Sequence, residues 1–163
     1  MTIAEDIQKA NAYVPQEVSS WGQVVADIAT YWESLVIYET GNNTGQWLDW
    51  MRVPPGAPWC VYWCRKVYDR AREYAGTKYT IDWTPPPEGP TYYVPELYRR
   101  MVLAGLARDV PRIGDLAFAR DMSHVGIVTS LVDANTIITI DGNWSSKVQP
   151  VTRKRNACLY AGF

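Results

Sequence analysis

The sequence predicts an α+β fold in which N-terminal helices pack on a C-terminal antiparallel β-sheet of about five strands. In the N-terminal part of the chain, apolar residues recur at helical spacing. From Pro111 onward the period changes to two, and short alternating segments are separated by turn residues. The 163 residues suit a single domain, and we expect residues 1–37 to form a helical extension that packs on it.

Helices are predicted for residues 21–38, 47–51, 58–75 and 95–106. Ser19 and Ser20 are the candidate caps for the first of them, and a Gly- and Asn-rich cluster at residues 39–45 ends it. The third presents Cys60, Trp63 and Cys64 on one apolar face, which predicts a core-packed helix with Cys60 at its N-terminal end. Pro58 suits the first turn of this helix because its missing N–H would have no partner there.

The strands are predicted at residues 116–120, 124–131, 136–141, 147–152 and 157–162. A long proline-rich loop is predicted at residues 76–95, with Trp83, Tyr92 and Tyr93 in it. Loops of this length in compact domains often border functional sites.

The composition excludes several classes of protein. A formal net charge of −1 argues against a chain built to bind nucleic acid, and a hydrophobic content of 47% excludes intrinsic disorder as the main state. The sequence contains no apolar run of the ~18 residues that a membrane span needs. The first residues lack the pattern of a Sec signal peptide, so we expect synthesis in the cytoplasm. An excess of Trp and Tyr over Phe is compatible with a broad amphipathic groove.

The chain has one histidine, His124, so any imidazole chemistry must use it. If residues 132–135 form the hairpin turn, Asn143 lies across from His124 and Asp141 is the diagonal neighbour on the same face. A one-residue slip in register would move both polar residues to the other face. The predicted hairpin thus gives the imidazole a carboxylate or amide partner, which would fix its tautomer.

Cys60 is the candidate nucleophile. At a helix N-terminus, unpaired N–H groups and the helix dipole favour a thiolate, and the same N–H groups can form part of an oxyanion hole. A cysteine at a helix start, then a strand histidine, then a polar residue one strand later is the order found in papain-like thiol hydrolases. Cys64 and Cys158 are expected to be packing residues, and a metal site is disfavoured because paired CxxC motifs are missing from the sequence.

Five segments of the sequence resemble the CHAP family of cysteine, histidine-dependent amidohydrolases and peptidases, within the NlpC/P60-like superfamily. They are Glu-Thr-Gly-Asn-Asn at 39–43, Gly-Ala-Pro-Trp-Cys at 56–60, Gly-Asp at 114–115, Ser-His-Val-Gly-Ile-Val at 123–128 and Asp-Gly-Asn at 141–143. The resemblance covers roughly residues 38–163. It implies a papain-like fold without a metal or organic cofactor. Cys60 would be the nucleophile, His124 the general base and acid, and Asp141 or Asn143 the orienting residue.

The same resemblance implies hydrolysis of an amide bond in peptidoglycan, by an endopeptidase or an N-acetylmuramoyl-L-alanine amidase. Such a domain would act at the bacterial cell wall, either as a phage lysin after holin release or as an injected antibacterial effector that an immunity protein would neutralise. Two alternatives remain: a non-catalytic module that binds cell wall or protein, and a thiol amidase or acyltransferase with another substrate.

Candidate substrate-binding residues are Glu39, Asn42, Trp59, Trp83, Tyr93 and Trp144. The aromatic members together would line a groove for sugar rings and stem peptides, although core packing is the more ordinary role for any one of them. Glu39, Asn42 and Asn43 would contact substrate, brace the loop before Cys60, or only form the turn at the end of a helix. The cationic run 153–155 is typical of a solvated edge, and it would also suit an anionic cell wall.

Overall fold

The computed structural model describes residues 1–16, 19–81, 83 and 93–163. Within these residues it contains five α-helices and a six-stranded antiparallel sheet, so the predicted α+β class is confirmed. The helices are α1 (Ile3–Ala12), α2 (Trp21–Ser34), α3 (Gln46–Trp50), α4 (Cys60–Ala75) and α5 (Val94–Leu103). Among the described residues, no helix is both long enough and apolar enough to cross a bilayer.

The strands are β1 (Ala107–Arg108), β2 (Leu116–Ala119), β3 (Val125–Leu131), β4 (Thr136–Trp144), β5 (Lys147–Lys154) and β6 (Cys158–Ala161). They lie in the order β1-β6-β2-β3-β4-β5. Strand β1 was not predicted, because two residues are too few to show the alternation of apolar and polar side chains that indicates a strand. The predicted loop at residues 76–95 lies partly outside the described residues, and so does Tyr92.

Helices α2 and α4 each differ from prediction at one end, and α5 ends three residues before the predicted position. Helix α2 starts as expected, with Ser20 Oγ accepting the Gln23 N–H at 3.3 Å, but it ends at Ser34 because Val36 adopts a positive φ of 56°. Helix α4 begins at Cys60, two residues later than predicted, because the non-helical Trp59 is its N-cap. Cys60 is therefore the first helical residue.

Helix α2 belongs to the core of the domain and is not an added extension. Its buried face includes Val24, Ile28 and Trp32, which join α4 and the sheet in one continuous apolar cluster. Helix α1 is the outer element of the N-terminal segment. It is fixed by a capping box at Thr2 and by a 3.1 Å hydrogen bond from the Trp32 indole N–H to the Ala10 carbonyl.

The sheet carries buried apolar residues on both faces. Val125, Ile127 and Ile140 join the cluster formed with the helices. A second, smaller cluster on the alternate positions contains Ala117, Val128, Ile137, Cys158 and Tyr160. Cys64 and Cys158 are both buried, as expected of packing residues.

The β3–β4 register differs from prediction only near the turn. Leu131 pairs with Ile137 and not with Thr136, a slip of one residue that would by itself reverse the faces. A bulge between Val128 and Ser130 takes up the extra residue, so that Val128 pairs with Thr139 as predicted. Beyond the bulge, Ile127 likewise pairs with Ile140 as predicted.

The predicted turn before β2 holds a buried carboxyl group, Asp115. Its Oδ2 accepts the Arg112 N–H at 2.7 Å and lies 3.5 Å from Arg108 Nε. Burial raises the pKa of Asp115 to about 6, against the opposing effect of the Arg112 N–H and of the charges of Arg108 and Arg112. This carboxyl group therefore couples folding to pH.

We predict that Asp115 makes the protein less stable as pH rises from about 4 to 6. Because its pKa is higher in the folded state, the folded protein binds more protons over this interval, and the stabilisation present at low pH is lost above it. Urea unfolding of wild type and Asp115→Asn at several pH values should show a difference in unfolding free energy that changes by about 2–3 kcal/mol across the interval. Identical pH slopes in the two proteins would contradict the assignment.

Candidate active site

Cys60 lies at the N-terminus of α4, where Trp59 provides no side-chain cap. The positive end of the helix dipole is therefore directed at the thiol region. The preceding loop is held by two hydrogen bonds between Asn43 and Gly56, one from the Gly56 N–H at 3.2 Å and one from Asn43 Nδ2 at 3.3 Å. Cys60 is 5% exposed, so its sulfur is largely enclosed by protein.

His124 immediately precedes β3 and forms an ion pair with Asp141. Its Nε2 lies 2.9 Å from Asp141 Oδ2. Burial lowers the pKa of His124, but its interactions with Asp141 and Cys60 and the negative charges of both groups outweigh burial and raise it to about 9. Since Nε2 faces the carboxylate, Nδ1 is the nitrogen left for Cys60. The imidazole thus bridges the thiol and the carboxylate.

Asp141 has no solvent exposure. Burial alone would raise its pKa, but the hydrogen bond to His124 and the charge of Arg153 outweigh burial and lower it. The register of the hairpin puts Asp141 opposite Gly126, where an added Cβ would overlap Asp141 Oδ1. The glycine of the His-Val-Gly-Ile-Val segment therefore leaves the space that the carboxylate occupies.

The structure pairs His124 with Asp141 and not with Asn143. Asn143 has a positive φ of 59° and lies in the irregular pairing between β4 and β5 that separates Asp141 from Trp144. The predicted pairing of Asn143 with His124 assumed that side chains alternate regularly between the two faces of β4. The irregular pairing breaks this alternation at Asn143. Asp141 is therefore the residue that lies against the imidazole in the structure.

Arg153 is the site residue that sequence reasoning missed. Its Nη2 donates a hydrogen bond to Asp141 Oδ2, the same oxygen that faces His124. The side chain is only 13% exposed, so the expectation of a solvated cationic edge is wrong for this residue. A correct β4–β5 register would have found it, since Ile137 pairs with Arg153 and this places the arginine on the face of Asp141.

Trp144 packs against both His124 and Arg153. Its ring makes an edge-to-face contact with the His124 imidazole at 5.1 Å and lies 4.8 Å from the Arg153 guanidinium carbon. At 37% exposure it is an aromatic side chain that a ligand at His124 would meet. Its role in substrate binding stays a prediction.

Two other aromatic candidates are buried side chains. Trp59 is fully buried, and its indole N–H donates to Glu39 Oε2 at 3.1 Å, so it packs beneath the site. Trp83 is 8% exposed and packs edge-to-face against Tyr68 in the core. Both rings are therefore structural in this conformation.

The other predicted substrate-binding residues, Glu39, Asn42 and Tyr93, lie in different parts of the fold. Glu39 braces the site, because its N–H also donates to the Ser146 carbonyl in the β4–β5 turn. Asn42 is exposed with a φ of 21°, and it is the neighbouring Asn43 that holds the loop before Cys60. Tyr93 is exposed as the N-cap of α5, and no contact in the described part of the chain joins it to Cys60 or His124.

No family model, curated protein or solved structure matches this chain. Functional conclusions therefore rest on the residues themselves. In residues 1–16, 19–81, 83 and 93–163, His, Cys, Asp and Glu do not form a group of three or more suited to hold a metal ion. The acid of the site, Asp141, is instead neutralised by His124 and Arg153.

We predict that Gly126→Ala displaces Asp141 and weakens its pairing with His124, because the new Cβ would occupy the position of the carboxylate. The His124 pKa should fall toward its usual value, and stability should drop by about 1–3 kcal/mol through overpacking. NMR titration of the single imidazole and urea unfolding measure these effects.

Gly41→Ala is the matched control, since a Cβ there meets only Thr44 Oγ1 at 3.8 Å. An unchanged His124 pKa in Gly126→Ala would show that the carboxylate does not depend on this space.

Proposed function

We propose that the protein is a cysteine amidohydrolase in which Cys60 is the nucleophile, His124 the acid and base, and Asp141 the residue that orients His124. The supporting observation is one group of residues: a thiol at an uncapped helix N-terminus, whose charge raises the pKa of the only histidine, and a fully buried carboxylate 2.9 Å from that histidine. Structural packing alone needs no such sequence of thiol, imidazole and carboxylate.

The reaction follows from this order of groups. His124 holds the proton of the Cys60 thiol, and the Cys60 thiolate attacks the amide carbonyl carbon while the backbone N–H of Cys60 at the start of α4 donates toward the developing oxyanion. Protonated His124 gives its proton to the leaving amine as the C–N bond breaks, which leaves a thioester on Cys60 and a neutral imidazole. Neutral His124 then takes a proton from water as the hydroxide attacks the thioester carbonyl, and the C–S bond breaks to release the carboxylic acid and return the Cys60 thiolate beside protonated His124. Each step uses side chains of this chain and water.

We further propose peptidoglycan as the substrate. The support is the resemblance of the segments around Cys60, His124 and Asp141 to CHAP-type enzymes, together with an exposed indole, Trp144, beside the imidazole. An aromatic face next to the reacting groups suits the apolar side of a sugar ring or a stem peptide. The domain would act at the bacterial cell wall, reached through a holin-dependent or an injection route.

The test is mass spectrometry of purified muropeptides incubated under reducing conditions with wild type, Cys60→Ala and Cys158→Ala. We expect wild type to release a defined product, Cys60→Ala to lose it by at least about 10³-fold, and the buried-thiol control Cys158→Ala to retain it. Product masses also identify the bond. Release of a stem peptide from the glycan indicates an amidase, and shortened peptides indicate an endopeptidase.

Two results would contradict the proposal. One is the absence of any product from fully reduced, folded wild type. The other is a product that Cys60→Ala forms as fast as wild type, which would exclude Cys60 as the nucleophile.

A further inference from the structure

One oxygen of Asp141 has two cationic neighbours. Oδ2 lies 2.9 Å from His124 Nε2 and also accepts a hydrogen bond from Arg153 Nη2. The second oxygen, Oδ1, has no hydrogen-bond donor among the described residues and lies over Gly126. The imidazole and the guanidinium therefore share one carboxylate oxygen as their anionic neighbour.

Arg153 is held in this position from three sides. Its Nε donates to Thr139 Oγ1 at 3.1 Å, and Nη2 donates to Asp141. The guanidinium carbon lies 4.8 Å from the centre of the Trp144 ring. A side chain with these contacts and little exposure has a defined geometry, unlike a surface arginine.

We propose that Arg153 is a positioning residue that shares Asp141 Oδ2 with His124 and so limits how strongly the carboxylate stabilises the imidazolium. The contribution of Arg153 to catalysis rests on the proposed function, but its effect on the pKa of His124 is independent of that function. A fixed cation on the far side of Asp141 neutralises part of the charge that His124 would otherwise receive in full.

The reaction explains why such a limit is useful. His124 must be protonated to supply the leaving amine, and it must be neutral to accept a proton from water in the second step. Its pKa of about 9 already favours the protonated form at neutral pH. An Asp141 free of Arg153 would hold the proton more tightly and slow the step that needs the neutral imidazole.

The charged and titratable groups around His124 come from several elements. Cys60 faces it from α4, Asp141 from β4, and Arg153 acts through Asp141 from β5. Cys64, one turn along α4, is fully buried with a raised pKa, first because of burial and then because of the Cys60 charge, so it stays a neutral thiol. On the segment leading to His124, Asp121 Oδ1 is occupied by the N–H and hydroxyl of Ser123.

The experiment is an NMR pH titration of the His124 imidazole in the whole, unliganded protein. Because the chain has one histidine, its imidazole signal needs no assignment. In Arg153→Gln, where the positive charge is removed and an amide donor remains near Asp141, we expect the His124 pKa to rise by about 1 above wild type. Arg153→Lys keeps the charge and should titrate close to wild type.

Lys154→Gln is the matched control, because it makes the same change in net charge at the next residue of β5, which is exposed and pairs with Thr136. It should leave the His124 pKa unchanged. Where a cleavage assay is available, Arg153→Gln should also shift the alkaline limb of kcat/KM upward by the same amount as the titration, which a purely structural role would not do.

An unchanged or lowered His124 pKa in Arg153→Gln overturns the proposal. If that variant does not fold, Arg153→Lys decides the question, because a rise of about 1 despite the retained charge would exclude charge sharing. The titration needs no substrate. If the protein does not hydrolyse muropeptides, the proposed role of Arg153 in setting the His124 pKa still stands. If muropeptides are cleaved but the His124 pKa is unchanged in Arg153→Gln, only the role of Arg153 is refuted.

Discussion

The candidate site depends on a buried ion pair between His124 and Asp141. A carboxylate with no solvent exposure costs several kcal/mol unless charges and hydrogen bonds compensate it. Here the compensation comes from an imidazole on one side and a guanidinium on the other, so that Asp141 remains ionised inside the fold. The charge of that carboxylate in turn keeps His124 protonated beside Cys60.

The scaffold brings these groups together through several local features of the backbone. The bulge after Val128 corrects the face of the hairpin, and Gly126 leaves room for the carboxylate. On the other face of β4, Gly142 lets the Trp63 side chain of α4 pack against the strand, and the Trp63 indole N–H donates to the Ile140 carbonyl at 3.2 Å. The N-terminus of α4 is thereby fixed relative to β4.

Alternation and turn residues were sufficient to predict the α+β class, Cys60 at a helix start and Asp141 on the face of His124. The same signals did not predict the structure of the β3–β4 turn. The one-residue shift at Leu131 is compensated by the bulge between Val128 and Ser130, so the alternation of apolar residues shows neither feature. Arg153 was missed because its position depends on the β4–β5 register, which is set by positive φ angles at Ser145 and Ser146. Trp59 is buried by tertiary packing, which the spacing of residues along the sequence does not reveal.

The most direct test of the account is the rate at which iodoacetamide alkylates each of the three cysteines at neutral pH, measured by peptide mapping of wild type and His124→Gln. We expect Cys60 to react at least about tenfold faster than Cys64 and Cys158 in wild type, because only Cys60 has the imidazolium and the helix N-terminus beside it. In His124→Gln this advantage should be largely lost. Similar rates for all three thiols in wild type, or a Cys60 rate that is insensitive to His124, would contradict an activated nucleophile.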